Sequence, residues 1–347
     1  MGITKKVRGM KTKSITAGSL VVSLVILLVA VVTPSVFAQR GGNVGGGSTG
    51  SKNSNSLRVS PVRTDLTAKP GETKKVIVYI QNVTNTPATY KPINNDFSAS
   101  TTEDGAPSII FDEKQYAPTH SLKRFMEPLP NVTVNPGERK AVEVTINVPA
   151  TAQAGGYFGA IRFAPVLPDG SSSVNVEGSV ASLILLTIPG NLVENLTLKQ
   201  FAVQQNGKES SRFATNKDIT VLVRLENKGN VQIAPFGDVF VQKGKDIVYK
   251  AKINDVKPAG VVLPDSVRKW TVPAEKLGSF GKYKITAVIG YGQSNKTMTV
   301  EKTIWIIPTI YIVGAIVALL LLIGLVVAII MSLRAYKRRI LRGARRR

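Results

Sequence analysis

The chain has 347 residues, 45 of them Lys or Arg against 22 Asp or Glu, with one His, no Cys and a formal charge of +23. Without cysteine there is no disulfide, thiolate zinc site or cysteine nucleophile, and one histidine excludes His-pair metal motifs and leaves His120 as the sole histidine base. So positive a balance suggests nucleic acid until the charges are located. Thirteen of the 23 net charges lie in residues 1–38 and 304–347, beside two apolar stretches and with no acid in either segment, which is the charge pattern of membrane topology.

At the N-terminus, Lys5, Lys6, Arg8, Lys11 and Lys13 precede an apolar run, Leu20–Val32, then Pro34 and Val36-Phe37-Ala38. A basic n-region, an apolar core and small or apolar residues before a cut predict a signal peptide over 1–38, cleaved after Ala38. An uncleaved anchor is the alternative, because no charge intervenes between Lys13 and Arg40. The topology is the same in both cases. Residues 39–56 are rich in Gly, Ser and Asn and read as a flexible tether; their glycines make no dinucleotide fingerprint, since no strand pattern precedes them and no helix pattern follows.

From Leu57 onward short alternating segments take over. Val76, Val78 and Ile80 share one face; Val142, Val144, Ile146 and Val148 alternate with polar or small residues; Tyr157, Gly159, Ile161 and Phe163 repeat the pattern; and Ser182–Ile188 is dense enough for a central strand. Lys69-Pro70-Gly71-Glu72 and Asn135-Pro136-Gly137-Glu138 each place Pro second and Gly third, the chemistry of a turn needing positive φ, and each launches a strand. Asn94–Ser121 shows no clean period and reads as a long loop with a short strand at Ile109–Phe111. Residues 57–190 are thus predicted to form one β-sandwich.

Residues 191–303 predict a second. Ile219, Val221, Val223 and Leu225 alternate before the turn cluster Asn227–Asn230; Val239–Gln242 and Ile247–Ile253 flank a hairpin turn at Lys243–Asp246; and Tyr283, Ile285, Ala287, Ile289 and Tyr291 close the series. The fold class expected is all-β: two tandem immunoglobulin-like sandwiches followed by one C-terminal transmembrane helix. That helix is predicted within 304–333, because no charge occurs from Thr303 to Leu333 and the apolar core Thr309–Met331 would span roughly 35 Å, enough for a bilayer. Trp305 and Tyr311 fall near one membrane interface and Arg334 and Tyr336 near the other; Arg334–Arg347 is a basic tail retained on the cytoplasmic side, which leaves the body outside.

With these features assembled, the chain resembles the bacterial WxL-interacting proteins. The likeness is carried by Pro61 and Arg63 in an early strand, the turn Asn82–Thr84, the run Asn135-Pro136-Gly137-Glu138 with its alternating strand, Pro149, and GGYFGAIRF at 155–163. It spans 57–305 in architecture and mostly 131–166 in motif. The resemblance implies a signal peptide, two immunoglobulin-like domains, one span and a basic tail, with peptidoglycan binding associated with the first domain and surface or host ligands with the second.

Candidate chemistry is sparse. His120 reads as an exposed loop histidine; Asp96, Glu103, Asp104, Asp112 and Glu113 read as solvated loop acids, since their spacing matches no calcium loop. Gly290–Thr297 echoes a phosphate loop but joins two strands, so it reads as a hairpin turn. Asn82, Asn131, Asn195 and Asn295 each open an N-x-T sequon, a glycan site only where the machinery exists. Tyr157 and Phe158 are candidate sugar-stacking residues, although neighbours in a strand face opposite ways and packing is the plainer role. Residues 57–190 hold 12 basic and 12 acidic residues, 191–303 hold 18 and 10. Within that excess Lys243, Lys245, Lys250 and Lys252 gather in one hairpin, a candidate contact for anionic lipid or wall polymer or, more simply, a solvated edge. The function these readings favour is non-enzymatic: a membrane-anchored surface protein, with no cofactor and no metal, that binds or scaffolds peptidoglycan, another anionic wall polymer or a partner surface protein, and no nucleic acid. An accessory subunit of a membrane complex and a chaperone-like strand donor are the alternatives.

Overall fold

A computed structural model describes residues 57–166 and 179–344, with side chains as far as Arg338. The predicted leader (1–38), the tether (39–56) and the last three arginines lie outside the described residues.

The first sandwich holds β1 (Leu57–Ser60), β2 (Arg63–Thr67), β3 (Thr73–Asn82), β4 (Ala88–Ala99), β5 (Pro107–Ile109), β6 (Val132–Val134), β7 (Arg139–Asn147), β8 (Gly155–Pro165) and β9 (Val180–Ile188). One sheet has the order β1-β3-β7; the other runs β2-β9-β8-β4-β5, with β6 also paired to β4. The second sandwich holds β10 (Leu196–Gln205), β11 (Lys208–Glu209), β12 (Arg212–Phe213), β13 (Ile219–Asn227), β14 (Phe236–Lys243), β15 (Asp246–Ile253), β16 (Ser266–Pro273), β17 (Gly281–Tyr291) and β18 (Lys296–Ile306). Its sheets are β11-β10-β13-β16 and β12-β18-β17-β14-β15. A single helix, α1 (Thr309–Ala344), follows. The fold class is the one that alternation and turn chemistry predict: immunoglobulin-like sandwiches and one C-terminal apolar helix.

Each sandwich is closed by the alternating residues. Val78, Ile80, Val144 and Ile146 of the small sheet pack on Ile161, Phe163, Ile184 and Leu186 of the large one. Val221, Val223 and Leu225 meet Val239, Val241, Ile285 and Ile289 in the second. The two Pro-Gly-Glu turns are built alike. Glu72 N–H donates to Lys69 O (3.0 Å) and Glu138 N–H to Asn135 O (3.1 Å), Gly71 and Gly137 have φ of +81° and +71°, and each Glu carboxylate accepts the first residue's N–H at 2.7 Å. The strands that they launch, β3 and β7, are antiparallel neighbours, Val76 opposite Val144 and Val78 opposite Val142.

Two stretches depart from the sequence reading. Ala88–Ala99 is a continuous strand where a long loop is predicted from Asn94, and β5 pairs to its end. Strand β8 is buried on both faces and not on one. The reason is the same. Both strands lie inside the large sheet, whose outer face is covered by the chain's own loop and by the second sandwich, so the period-two signal of a half-wetted strand vanishes.

A repeated asparagine locks each sandwich. Asn82 ends β3 and Asn227 ends β13, both fully buried. Asn82 Nδ2 donates to Thr86 O (2.8 Å) and Val134 O (3.0 Å) while its Oδ1 accepts Thr84 N–H (2.9 Å). Asn227 Nδ2 donates to Val231 O (2.7 Å) and Val262 O (2.9 Å), and Oδ1 accepts Gly229 N–H (2.9 Å). The amide thus replaces water for a turn and for a distant strand at once. Asn82 is a framework residue, not an available glycan acceptor. Asn227→Ala strands one donor and two acceptors, and denaturant unfolding should show a loss of about 2 kcal/mol, against nearly none for Asn131→Ala on the exposed surface.

Candidate functional site

Strand β4 presents Asn95 and Asp96, both fully buried. Asp96 Oδ2 accepts Ala117 N–H (2.9 Å) and the Ser121 hydroxyl (2.6 Å), and Oδ1 accepts Lys123 N–H (2.9 Å). Asn95 Nδ2 donates to Ile110 O (2.8 Å). The reading of Asp96 as a solvated loop acid is therefore corrected: donors of the segment 110–125 take the place of water around its carboxylate. Beside it Arg162, also buried, donates from Nε to Asn95 Oδ1 (3.2 Å) and lies 5.4 Å from the Phe111 ring; burial lowers the guanidinium pKa. Glu113 is paired with Lys91 at 3.1 Å. Among the described residues no three His, Asp or Glu side chains converge as metal ligands would.

On the outside of this anchored loop Phe111 and Tyr116 are 48% and 44% exposed. Lys123 Nζ and the Arg124 guanidinium stand 4.7 and 4.6 Å from the Tyr116 ring. Lys123 Nζ also donates to the Glu113 and Gln115 carbonyls, at 2.6 and 2.8 Å, so the cation stitches the loop that carries the aromatic. Exposed ring faces between cations suit a ligand with both C–H faces and carboxylates. The sequence reading did not single out these residues. Their one available signal was a long aperiodic segment inserted in a sandwich, which is where binding loops concentrate.

The strand GGYFGAIRF has a different role. Gly156 N–H donates to Asn230 O (2.8 Å) and Asn230 Nδ2 to Ala154 O (3.2 Å), both across to the second sandwich. A Cβ at Gly156 would lie 2.5 Å from Gln232 Oε1, and one at Gly155 2.8 Å from Asn230 O, so the glycine pair permits the close approach. Phe158 is 3% exposed and packs with Phe97, Ala160 and Leu185 against Leu263 of the second sandwich, which leaves it no face for a sugar. Tyr157 points the other way, its ring 5.0 Å from Phe125 and its hydroxyl donating to Gln153 O (3.0 Å). His120 is half-buried rather than exposed, with positive φ and Nδ1 donating to Gly156 O at 2.6 Å.

The seam has an ionic lock as well. Glu103 takes a two-pronged bond from Arg224, Nε to Oε2 at 2.7 Å and Nη2 to Oε1 at 2.5 Å, and its carbonyl accepts Lys269 N–H at 2.8 Å. The hydrogen bond from Arg224 holds the Glu103 carboxyl below the usual range. Arg63 Nη1 reaches Ala259 O at 2.8 Å.

The four hairpin lysines are not one patch. Lys250 is paired with Asp238 (3.1 Å) and Lys252 with Asp255 (3.4 Å). Lys243 and Lys245 sit at the hairpin's end, with Lys243 Nζ 5.7 Å from the Tyr283 ring. Trp305 is exposed on β18 with Lys282 Nζ 5.7 Å from its ring, and Tyr311, in the first turn of α1, meets Phe280 edge-on at 5.5 Å. Arg334 and Tyr336 are exposed toward the other end of α1. Within Thr309–Arg338 an 18-residue window has a mean hydropathy of 3.2 and none of that window is buried; the helix is long and apolar enough to cross a membrane.

Residues 64–165, from β2 to the end of β8, match the family model described as WxL Interacting Protein, peptidoglycan binding domain. No curated protein matches the chain. Solved structures similar in fold include the class 5 fimbriae chaperone CfaA, at 14% identity and a TM-score of 0.36 over 72% of this chain and 98% of that one. The Pseudomonas aeruginosa CupB2 chaperone follows at 11% and 0.32 over 71% and 99%, and the E. coli chaperone DraB at 15% and 0.31 over 72% and 96%. From Thr64 to Pro165, the first sandwich is thus similar to the peptidoglycan binding domain of WxL-interacting proteins.

Proposed function

We propose that the chain is a non-enzymatic, membrane-anchored cell-surface protein that binds peptidoglycan through the Asp96-anchored loop of its first sandwich. The observation that carries this reading is the family match, whose residues 64–165 contain the whole loop with Phe111, Tyr116, Lys123 and Arg124. The chemistry agrees: aromatic faces accept the C–H surfaces of glycan rings, and the cations beside them donate to the free carboxylates of stem peptides. Helix α1 serves as the anchor and the arginine-rich tail keeps it oriented, with both sandwiches outside the cell. Neutral overall, the first sandwich meets the wall by local contacts rather than by bulk charge.

The test is co-sedimentation of the detergent-solubilised full chain with purified cell wall across a salt series. Binding should persist at moderate salt. The double variant Tyr116→Ala, Arg124→Ala should weaken it about tenfold, a loss of roughly 1.4 kcal/mol. A wild-type chain that stays in the supernatant at low salt removes the proposal.

A further inference from the structure

The end of the second sandwich from which α1 departs is assembled from three places in the sequence. In β17 and β18 Lys282 stands opposite Trp305, and Gln242 of β14 stands opposite Lys284 of β17. This register brings the end of β14, the start of β17 and the end of β18 together, and only Ile307 and Pro308 separate β18 from the helix. The turn after β14 therefore carries Lys243 and Lys245 to the same end as Phe280, Trp305 and Tyr311.

The side chains there share two properties. Phe280, Trp305 and Tyr311 are 52%, 41% and 59% exposed, unusual for large aromatics in a water-facing sandwich. Ile304 and Ile306, the neighbours of Trp305, are fully buried, so the alternation of β18 sends the indole outward by design of the strand. Lys243, Lys245 and Lys282 are exposed and, among the described residues, none has a salt-bridge partner, in contrast to Lys250 and Lys252 farther along the hairpin. Amphipathic rings with lysines that can extend past them match the headgroup layer, where rings sit at the apolar boundary and ammonium groups reach phosphates.

We infer that this end of the second sandwich is itself a lipid-binding surface: Phe280, Trp305 and Tyr311 enter the headgroup region around α1, and Lys243, Lys245 and Lys282 bind the phosphates of anionic phospholipids. The domain is then docked on the membrane and does not swing from the helix. The inference rests on α1 spanning the bilayer, the continuity of the surface with that helix, and three exposed lysines that hold no ion pair among the described residues and outnumber Asp246, the acid opposite Lys243 in the turn. Three lysines near an anionic surface add attraction that a zwitterionic bilayer lacks.

The chain has no cysteine, so Ser279→Cys, at an exposed position beside Phe280, provides a unique labelling site in the full-length protein. With an environment-sensitive dye there and the protein in nanodiscs, iodide quenching should fall about threefold on going from phosphatidylcholine alone to a mixture with 30% phosphatidylglycerol. Lys243→Glu, Lys245→Glu and Lys282→Glu combined should abolish that difference, and Phe280→Ser should reduce it. Equal quenching in both bilayers overturns the inference, as does equal protection in neutral discs by a soluble polyanion, which would assign the site to wall polymer. A chain that fails to enter nanodiscs at all refutes the anchor reading instead, so the two failures are distinct.

Discussion

Asp96→Asn should destabilise the first sandwich by roughly 3 kcal/mol although the two side chains are nearly isosteric. The carboxylate accepts from three donors, two on Oδ2 and one on Oδ1. An amide has one acceptor atom and one donor atom, so either orientation sets an NH2 group against a buried N–H, and no rotation relieves it. For a domain of this size the loss corresponds to a fall in Tm of about 10 °C. Asp112→Asn, on the exposed part of the same segment, should move Tm by about 1 °C. The loop carrying Tyr116 would also come loose from β4, so Asp96→Asn should lose wall binding together with stability, whereas Tyr116→Ala loses binding at unchanged Tm. If Asp96→Asn unfolded with the wild type, the carboxylate would not be what holds the loop.

Much of the scaffold is visible in the residues alone, because a half-wetted strand writes its burial into the chain. Val142, Val144 and Ile146 alternate with wetted partners, and the Pro-Gly-Glu turns announce where β3 and β7 begin. The resemblance drawn from Asn135-Pro136-Gly137-Glu138 and GGYFGAIRF is borne out by the family match over 64–165. What stayed hidden depends on partners far away in sequence. Nothing local distinguishes Asp96 from Asp112; one meets three donors across 21 to 27 residues and the other faces solvent. Phe158 reads as a possible stacking ring because its cover, Leu263, lies 105 residues later in the other sandwich. The lysine quartet reads as one patch because sequence proximity conceals Asp238, the partner that strand pairing brings to Lys250. Tyr116 was passed over for the converse reason: its setting between Lys123 and Arg124 exists only after the loop has folded around Asp96.

The seam between the sandwiches yields the other large effect. Leu263 is presented by a segment that is fixed on its own account: Ile233 and Val262 exchange backbone hydrogen bonds at 3.0 and 2.8 Å, and Asn254 bonds Gly260 through both ends of its amide. The leucine therefore cannot swing aside, and Leu263→Asp forces a carboxylate against Phe97, Phe158 and Leu185. The cost should be about 3–5 kcal/mol, charged mostly to the coupling between sandwiches because each keeps its own core. Calorimetry of the full chain in detergent should then show two separate unfolding transitions in place of one. Leu263→Met, similar in volume, should stay within about 1.5 kcal/mol and keep a single transition. The Glu103–Arg224 lock adds a pH signature. Since Glu103 titrates below the usual carboxylate range in the folded protein, its contribution is complete above that range and disappears as pH falls through the lowered value. Wild-type sandwiches should accordingly remain coupled through neutral pH and begin to separate only in acid below the ordinary glutamate range. A Leu263→Asp chain that still melts in one transition at the wild-type temperature would show that the seam does not join the two folds.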